Sequence, residues 1–263
     1  MLIRKKALIM SKLPKEHQFI DLSDYGRPIA RYIANSIKNT TLTPIHVTWA
    51  FVTSGLLAIF CMLNEYYWSA AFFLILKSIL DAADGELARI KETPSYTGRF
   101  LDSVADIVLN FILILTIYSV TNISFLFAFF AFFGIQLQGT LYNYYYAILK
   151  SKFNGDTTSR IFENKTPKAL SGEKQKNVDL LFFLYKFFYG VFDKIIYALD
   201  KKAPKGKTFP KWLMSLISTF GLGFQLLIIS VLLVLGLKEI IIPFFILYSS
   251  FIFVFVFIRK KFY

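Results

Sequence analysis

The sequence predicts an all-α integral membrane protein with six transmembrane helices and amphipathic helices at the interface. Three observations predict it. Of the 263 residues 56% are hydrophobic and 18% aromatic, more than a water-soluble domain of this length has core to bury. Six apolar runs reach the roughly 20 residues that cross a ~30 Å hydrocarbon layer. The charges between those runs sort to one side.

Taken in order, the chain opens with MLIRKKALIMSKLPKE, whose apolar stretch at 7–10 is too short for a signal-peptide core, so a cleaved leader is not expected. Segment 27–38 (RPIARYIANSIK) puts Ile29, Ile33 and Ile37 on one side, with Pro28 suited to a first helical turn. It reads as a helix lying in the headgroup layer. The expected spans are 45–63, 66–84, 97–120, 124–149, 212–237 and 240–258. Tight connections join the first to the second (Asn64, Glu65), the third to the fourth (121–123) and the fifth to the sixth (Lys238, Glu239). The opposite side collects Arg4, Lys5, Lys6, Arg89, Lys91, a lysine-rich stretch over 150–211 and a basic cluster at 259–261. The positive-inside rule then places both termini in the cytoplasm, with a cell inner membrane as the expected location. Trp49, Trp68 and Trp212 fall near span ends, where an interfacial aromatic belt belongs.

Segment 178–199 is long enough to span, but Asp179, Lys186, Asp193 and Asp200 recur every seven residues as one polar stripe. With basic stretches before and after it, an in-plane helix is expected, preceded by an irregular loop at 153–176. Two regions result: a cytoplasmic segment 1–42 with its amphipathic helix, and a membrane region 43–263 that includes the 150–211 loop. The net charge of +13 is accounted for by inner loops facing anionic headgroups, and no nucleic-acid partner is expected. Cys61, the only cysteine, excludes an internal disulfide.

At the inner end of the second span the chain reads DAADGELARIKETPSYTGRFLDSVAD, over 81–106. Carboxylates at membrane depth are costly and usually face a cavity, pair, or bind an ion. Asp81, Asp84, Gly85 and Ala88 stand at i, i+3, i+4 and i+7, on one helical face. Gly98, Asp102 and Asp106 stand at i, i+4 and i+8 on the next helix, and the Thr93-Pro94-Ser95 connection turns the two faces together. Four converging carboxylates make a hard, all-oxygen site suited to Mg²⁺ or Mn²⁺ and not to zinc.

This spacing resembles the CDP-alcohol phosphotransferase (CDP-alcohol phosphatidyltransferase) family pattern D-x-x-D-G-x-x-A-R-(x)8-G-x-x-x-D-x-x-x-D, and every fixed position is filled. Thr43-Pro44 before the first span resembles the family more loosely, because Ile45 stands where many relatives carry asparagine. The resemblance implies two divalent cations, a CDP-linked donor, transfer of a substituted phosphoryl group to an alcohol hydroxyl, and release of CMP. It implies Asp81, Asp84 and Asp102 as principal metal ligands, with Asp106 sharing the site as general base. Gly85, Ala88 and Gly98 would let the nucleotide approach the helices, and Arg89 would hydrogen-bond the donor. A homodimer is implied by the resemblance alone.

The preferred donor is CDP-diacylglycerol, entering from the bilayer, and the acceptor a polar alcohol, which places the protein in phospholipid biosynthesis. The alternatives are a soluble CDP-alcohol donor with a lipid or polyol acceptor and, outside the enzymes, a small cation-coupled transporter or a membrane scaffold. Several further residues are open between two roles. Lys77 either touches a substrate phosphate or pairs with Asp81 one turn on. Asn110, Gln136, Gln138 and Asn143 either line a cavity or satisfy interhelical hydrogen bonds, and His46 reads as interfacial.

Overall fold

The protein is described by a computed structural model covering residues 13–153 and 165–263. The N-terminal cluster Arg4, Lys5, Lys6, the apolar stretch at 7–10 and positions 154–164 of the expected loop lie outside the described residues.

Within them the fold is helical and without strands. After a short amphipathic helix α1 (Arg27–Ile37) come α2 (Pro44–Leu63), α3 (Tyr67–Ile90), α4 (Tyr96–Ser119) and α5 (Phe125–Lys152). Then follow α6 (Gln175–Leu199), α7 (Lys211–Ile217), α8 (Leu222–Val234), α9 (Lys238–Tyr248) and α10 (Phe251–Phe262). Four helical stretches are long and apolar enough to cross a membrane: α2, α4, α5, and α9 with α10 taken together. The pair α7–α8 makes a fifth if its 55° bend is part of one span. Gly221, extended at ψ 150°, marks that break. The expected count of six is therefore not reached on length and composition. Helix α3 is long enough, 24 residues or about 36 Å, but Lys77, Asp81 and Asp84 interrupt its apolar character.

Both ends of α3 turn by one device. Glu65 and Glu92 adopt left-handed φ values of 62° and 54°. The next amide reaches back to close each turn, Tyr66 N to Cys61 O at 2.8 Å and Thr93 N to Ala88 O at 3.0 Å. Pro94 then stops any helical continuation, and Ser95 caps α4 by accepting from Gly98 N at 2.8 Å.

Helix α1 departs from the expected register. Ala30 and Ala34 are its fully buried face, Ile33 and Ile37 flank it, and Ile29 is 53% exposed. Small residues are needed there because α1 lies directly on α3. The segment before α1 wedges against α8: Ser23 O would lie 2.0 Å from a Cβ at Gly223, so no larger residue fits without backbone movement.

The two ends of α6 are fastened near the start of α4 and the end of α5. At its start, Glu173 accepts from Ser95 and Thr97. At its end, Asp200 accepts from Tyr145 Oη at 2.7 Å, and its backbone carbonyl accepts from Tyr144 Oη at 3.0 Å. Arg259 of α10 pairs with the same Asp200 carboxylate, and acid and base are both almost wholly buried. One buried ion pair thus ties α5, α6 and α10 together.

Candidate active site in a carboxylate-lined cavity

The site exists because α3 and α4 are held apart. Both pack on α2, while their own backbones make little contact. Phe51 and Ile59 of α2 fill the join against Leu80 of α3 and Leu109 of α4. Inward side chains from α3 and α4 therefore meet across a gap. Carboxylate oxygens of Asp81, Asp102 and Asp106 lie within 4.8 Å of one another. A cavity of about 720 Å³ opens beside them, walled by α3, α4, α5, α6 and the start of α8.

Asp84 lines the same cavity but stands outside that trio, its Oδ2 accepting from Thr48 Oγ1 at 2.8 Å. Thr48 was not singled out from sequence. The available signal was its position four residues after Pro44, one turn into the helix that packs on α3. Gly85 and Arg89 also line the cavity, whereas Ala88 and Gly98 lie off its wall. The Arg89 guanidinium folds back over Gly85, 3.5 Å from where a Cβ would sit, and pairs with Glu86 at 3.3 Å. Arg89 Nε is buried without a partner.

Glu86, an acid between the fixed positions of the pattern, does not line the cavity with the trio. It gathers Arg27, Arg31 and Arg89, so α1 is latched by charge to the carboxylate-bearing helix. Lys77 does not pair with Asp81 as one reading had it. It is 1% exposed, donates to Asp106 Oδ1 at 2.6 Å across the gap, and lies 4.9 Å from the Phe51 ring centroid. Asp106 is one turn beyond Asp102, at the level Lys77 reaches. Asn110, Gln136 and Asn143 line the cavity, while Gln138 is turned away into bonds with Ser249 and Gln225. His46 closes the start of α2 with Thr43, apart from the acids.

The trio fits a hard divalent cation. Its donors are all oxygen, no His or Cys joins them among the described residues, and Asp102 Oδ1 is buried without a hydrogen-bond partner. An unpaired carboxylate oxygen at that depth is costly unless a cation meets it.

Glu173, outside the helices and unmarked by any sequence pattern, ties the segment before α6 to the start of α4. Its carboxylate accepts from Ser95 Oγ at 2.7 Å, Thr97 N at 2.6 Å and Leu170 N at 2.9 Å. Partial burial opposes its charge, but these donors outweigh it and hold the carboxyl below its ordinary value of 4.5. A depressed acid contributes stability that is present above the unfolded pKa and lost as pH falls through the folded one. Protection of the Thr97 and Leu170 amides, corrected for intrinsic exchange, is therefore expected to hold at neutral pH and fall only in acid below that value. In Glu173→Gln the protection is expected to be weaker and independent of pH. Equal pH dependence in both proteins would show that Glu173 is not the anchor.

Helices of membrane length around a cavity lined by a carboxylate cluster that could hold a divalent cation define the class, an all-helical polytopic membrane protein. The family model of the CDP-alcohol phosphatidyltransferases matches residues 41–189, over half the chain, and the chain belongs to that family. No curated protein matches it. Membership carries the chemistry of a transferase acting between a CDP-linked donor and an alcohol, with divalent metal.

Proposed function

We propose that the protein transfers a phosphatidyl group from CDP-diacylglycerol to the hydroxyl of a small polar alcohol, releasing CMP, in phospholipid synthesis at a cell inner membrane. The observation that carries this is the meeting of Asp81, Asp102 and Asp106 across the α3–α4 gap, beside a cavity that also holds Asp84 and Arg89. In this reading Asp81, Asp84 and Asp102 hold two divalent cations, Mg²⁺ or Mn²⁺, and Asp106 shares the site. When bound, such cations neutralise the donor's pyrophosphate and stabilise the departing phosphate.

The chain's own residues do the rest. Arg89, with a buried N–H still to donate, faces the donor. Lys77 takes Asp106 Oδ1, which fixes the carboxylate and leaves Oδ2 for the acceptor. The acceptor oxygen forms a new bond to phosphorus as its proton passes to Asp106. The phosphorus–oxygen bond to CMP breaks, and CMP leaves with the electron pair.

Helix α3 is counted here as the sixth span. Its polar residues face the cavity or neighbouring helices, so they need not meet lipid. Helix α6 is placed in the plane of the inner surface, supported by the fastening of its two ends near the start of α4 and the end of α5. Both termini and the cavity mouth then face the cytoplasm.

The test is purified protein with CDP-diacylglycerol and a panel of alcohols. CMP release is expected to require Mg²⁺ or Mn²⁺, to stop on chelation and return on re-addition of metal, and to be nearly abolished in Asp84→Asn. Release from soluble CDP-alcohols alone would move the donor to the other branch of the family. No release with any pairing would favour a cation-coupled transporter, and full function in Asp84→Asn would favour a scaffold.

A further inference from the structure

Glu86 is buried without lining the site. It sits on α3 between Asp84 and Arg89, its side chain is 5% exposed, and it forms no part of the cavity wall. Three arginines reach it: Arg27 and Arg31 from α1, and Arg89 from one turn along its own helix. A latch for α1 would need only the first of these. Arg27 also pairs with Asp24, so its charge is met twice. Arg31 stands at 3.6 Å with a side chain 57% exposed, where water can solvate it. Arg89 differs from both. Its side chain is 18% exposed, and its one ion pair among the described residues is with Glu86.

That pair decides how Arg89 is held. Its two terminal nitrogens and its guanidinium carbon lie 3.5, 3.6 and 3.9 Å from where a Cβ on Gly85 would sit, so the group is folded back on its own helix. In this pose it reaches Glu86 at 3.3 Å, while Gly85 and Arg89 both line the cavity. Its Nε is buried without a partner, a donor still to be met. An arginine left to turn about its side-chain torsions loses that freedom when it grips a ligand, whereas one already fixed loses little. Glu86 does not cancel the positive charge in doing this. Asp24 and Glu86 are two acids facing the three arginines Arg27, Arg31 and Arg89, so one positive charge is left over.

We infer that Glu86 is a positioning residue for donor binding: it touches no substrate, but it holds the Arg89 guanidinium over Gly85 at the cavity wall, and Arg27 of α1 holds Glu86 in turn. This rests on the reading above in which Arg89 meets the donor. A planar guanidinium recognises phosphate oxygens by direction as well as charge, so a change of pose weakens it even where the charge stays. An i,i+3 acid–base pair on an exposed helix would be too weak to fix that pose. Here burial of Glu86 and the second arginine on it supply the rigidity. Helix α1 thereby supports the donor site through Arg27, while Ile29 and Tyr32 on its outer side remain exposed toward the headgroup layer.

The experiment uses the full-length, detergent-solubilised protein. Glu86→Gln is expected to raise donor KM about tenfold, the scale of one charge-assisted hydrogen bond, with acceptor KM and kcat at saturating donor unchanged. Glu86→Asp, which keeps the charge, is expected to recover part of that loss. In an Arg89→Gln background, Glu86→Gln is expected to add nothing to donor KM, because the two residues act as one unit. Glu86→Gln/Arg31→Gln, in which one positive charge leaves with the negative one, gives the same reading if the single variant does not fold. Donor KM unchanged or lowered, an equal further loss in the Arg89→Gln background, or kcat and both KM values worsening together would overturn the assignment. Calorimetric titration of CDP with Mg²⁺ present separates this proposal from the transferase reading. Affinity for CDP weakened by Glu86→Gln, and only while Arg89 is present, upholds the positioning role even if no CMP is ever released. CDP binding that is absent, or equal in wild type and Glu86→Gln, overturns it even if the protein is a transferase.

Discussion

Asp106→Asn is expected to lower CMP release by about 10³-fold, the scale of a lost general base, while the protein keeps its affinity for the CDP-linked donor. The asparagine keeps shape and a carbonyl oxygen for Lys77 but cannot take the acceptor's proton. The contact across the gap is kept but the buried ion pair is lost, so some stability is expected to go with it and the variant is compared at a temperature where it is folded. The measurement is donor binding by titration beside kcat under saturating donor and acceptor. Parallel loss of nucleotide affinity and rate would make Asp106 chiefly a metal ligand and would remove the base from the mechanism.

The second large effect lies far from the chemistry. Arg259→Met is expected to destabilise the protein by about 3–5 kcal/mol, because it strands a buried carboxylate. Asp200 is fully buried, and its remaining side-chain partner, Tyr145, cannot offset a full charge. Arg259→Met/Asp200→Asn is expected to recover much of that loss, since the amide still accepts from Tyr145 and no charge remains. Thermal unfolding in one detergent, with wild type, single and double variants side by side, reads both outcomes. A single variant as stable as wild type would show that the pair does not hold α10 to α6.

The carboxylate site was legible because helical spacing is rigid. Residues at i+3 and i+4 share a face whatever surrounds them, so Asp81 and Asp84 on one helix, and Asp102 and Asp106 on the next, were two acidic faces joined by a turn. Partners across the fold were not legible. Lys77 looks like a mate for Asp81 on its own helix, yet it reaches Asp106, because the gap that α2 holds open is bridged by a long side chain. Glu86 reads as one more acid of the motif until α1 is seen to bring Arg27 and Arg31 to it. Thr48, Glu173 and Arg259 carry no periodic signal, since their partners lie 36 to 78 positions away, and Asp200, which reads as the end of a polar stripe, is instead fully buried against Arg259. The expected six spans are met only in part: four or five helical stretches are long and apolar enough, and Lys77, Asp81 and Asp84 break the apolar run of α3.

By itself the sequence determined the helical membrane class, the order of the helices and the family, since these follow from apolar run length, local charge and fixed offsets along one chain. Only the tertiary structure decided which acids meet, which cation attends them and which buried donors remain unsatisfied, because those outcomes depend on distances between helices, and a linear pattern does not contain them.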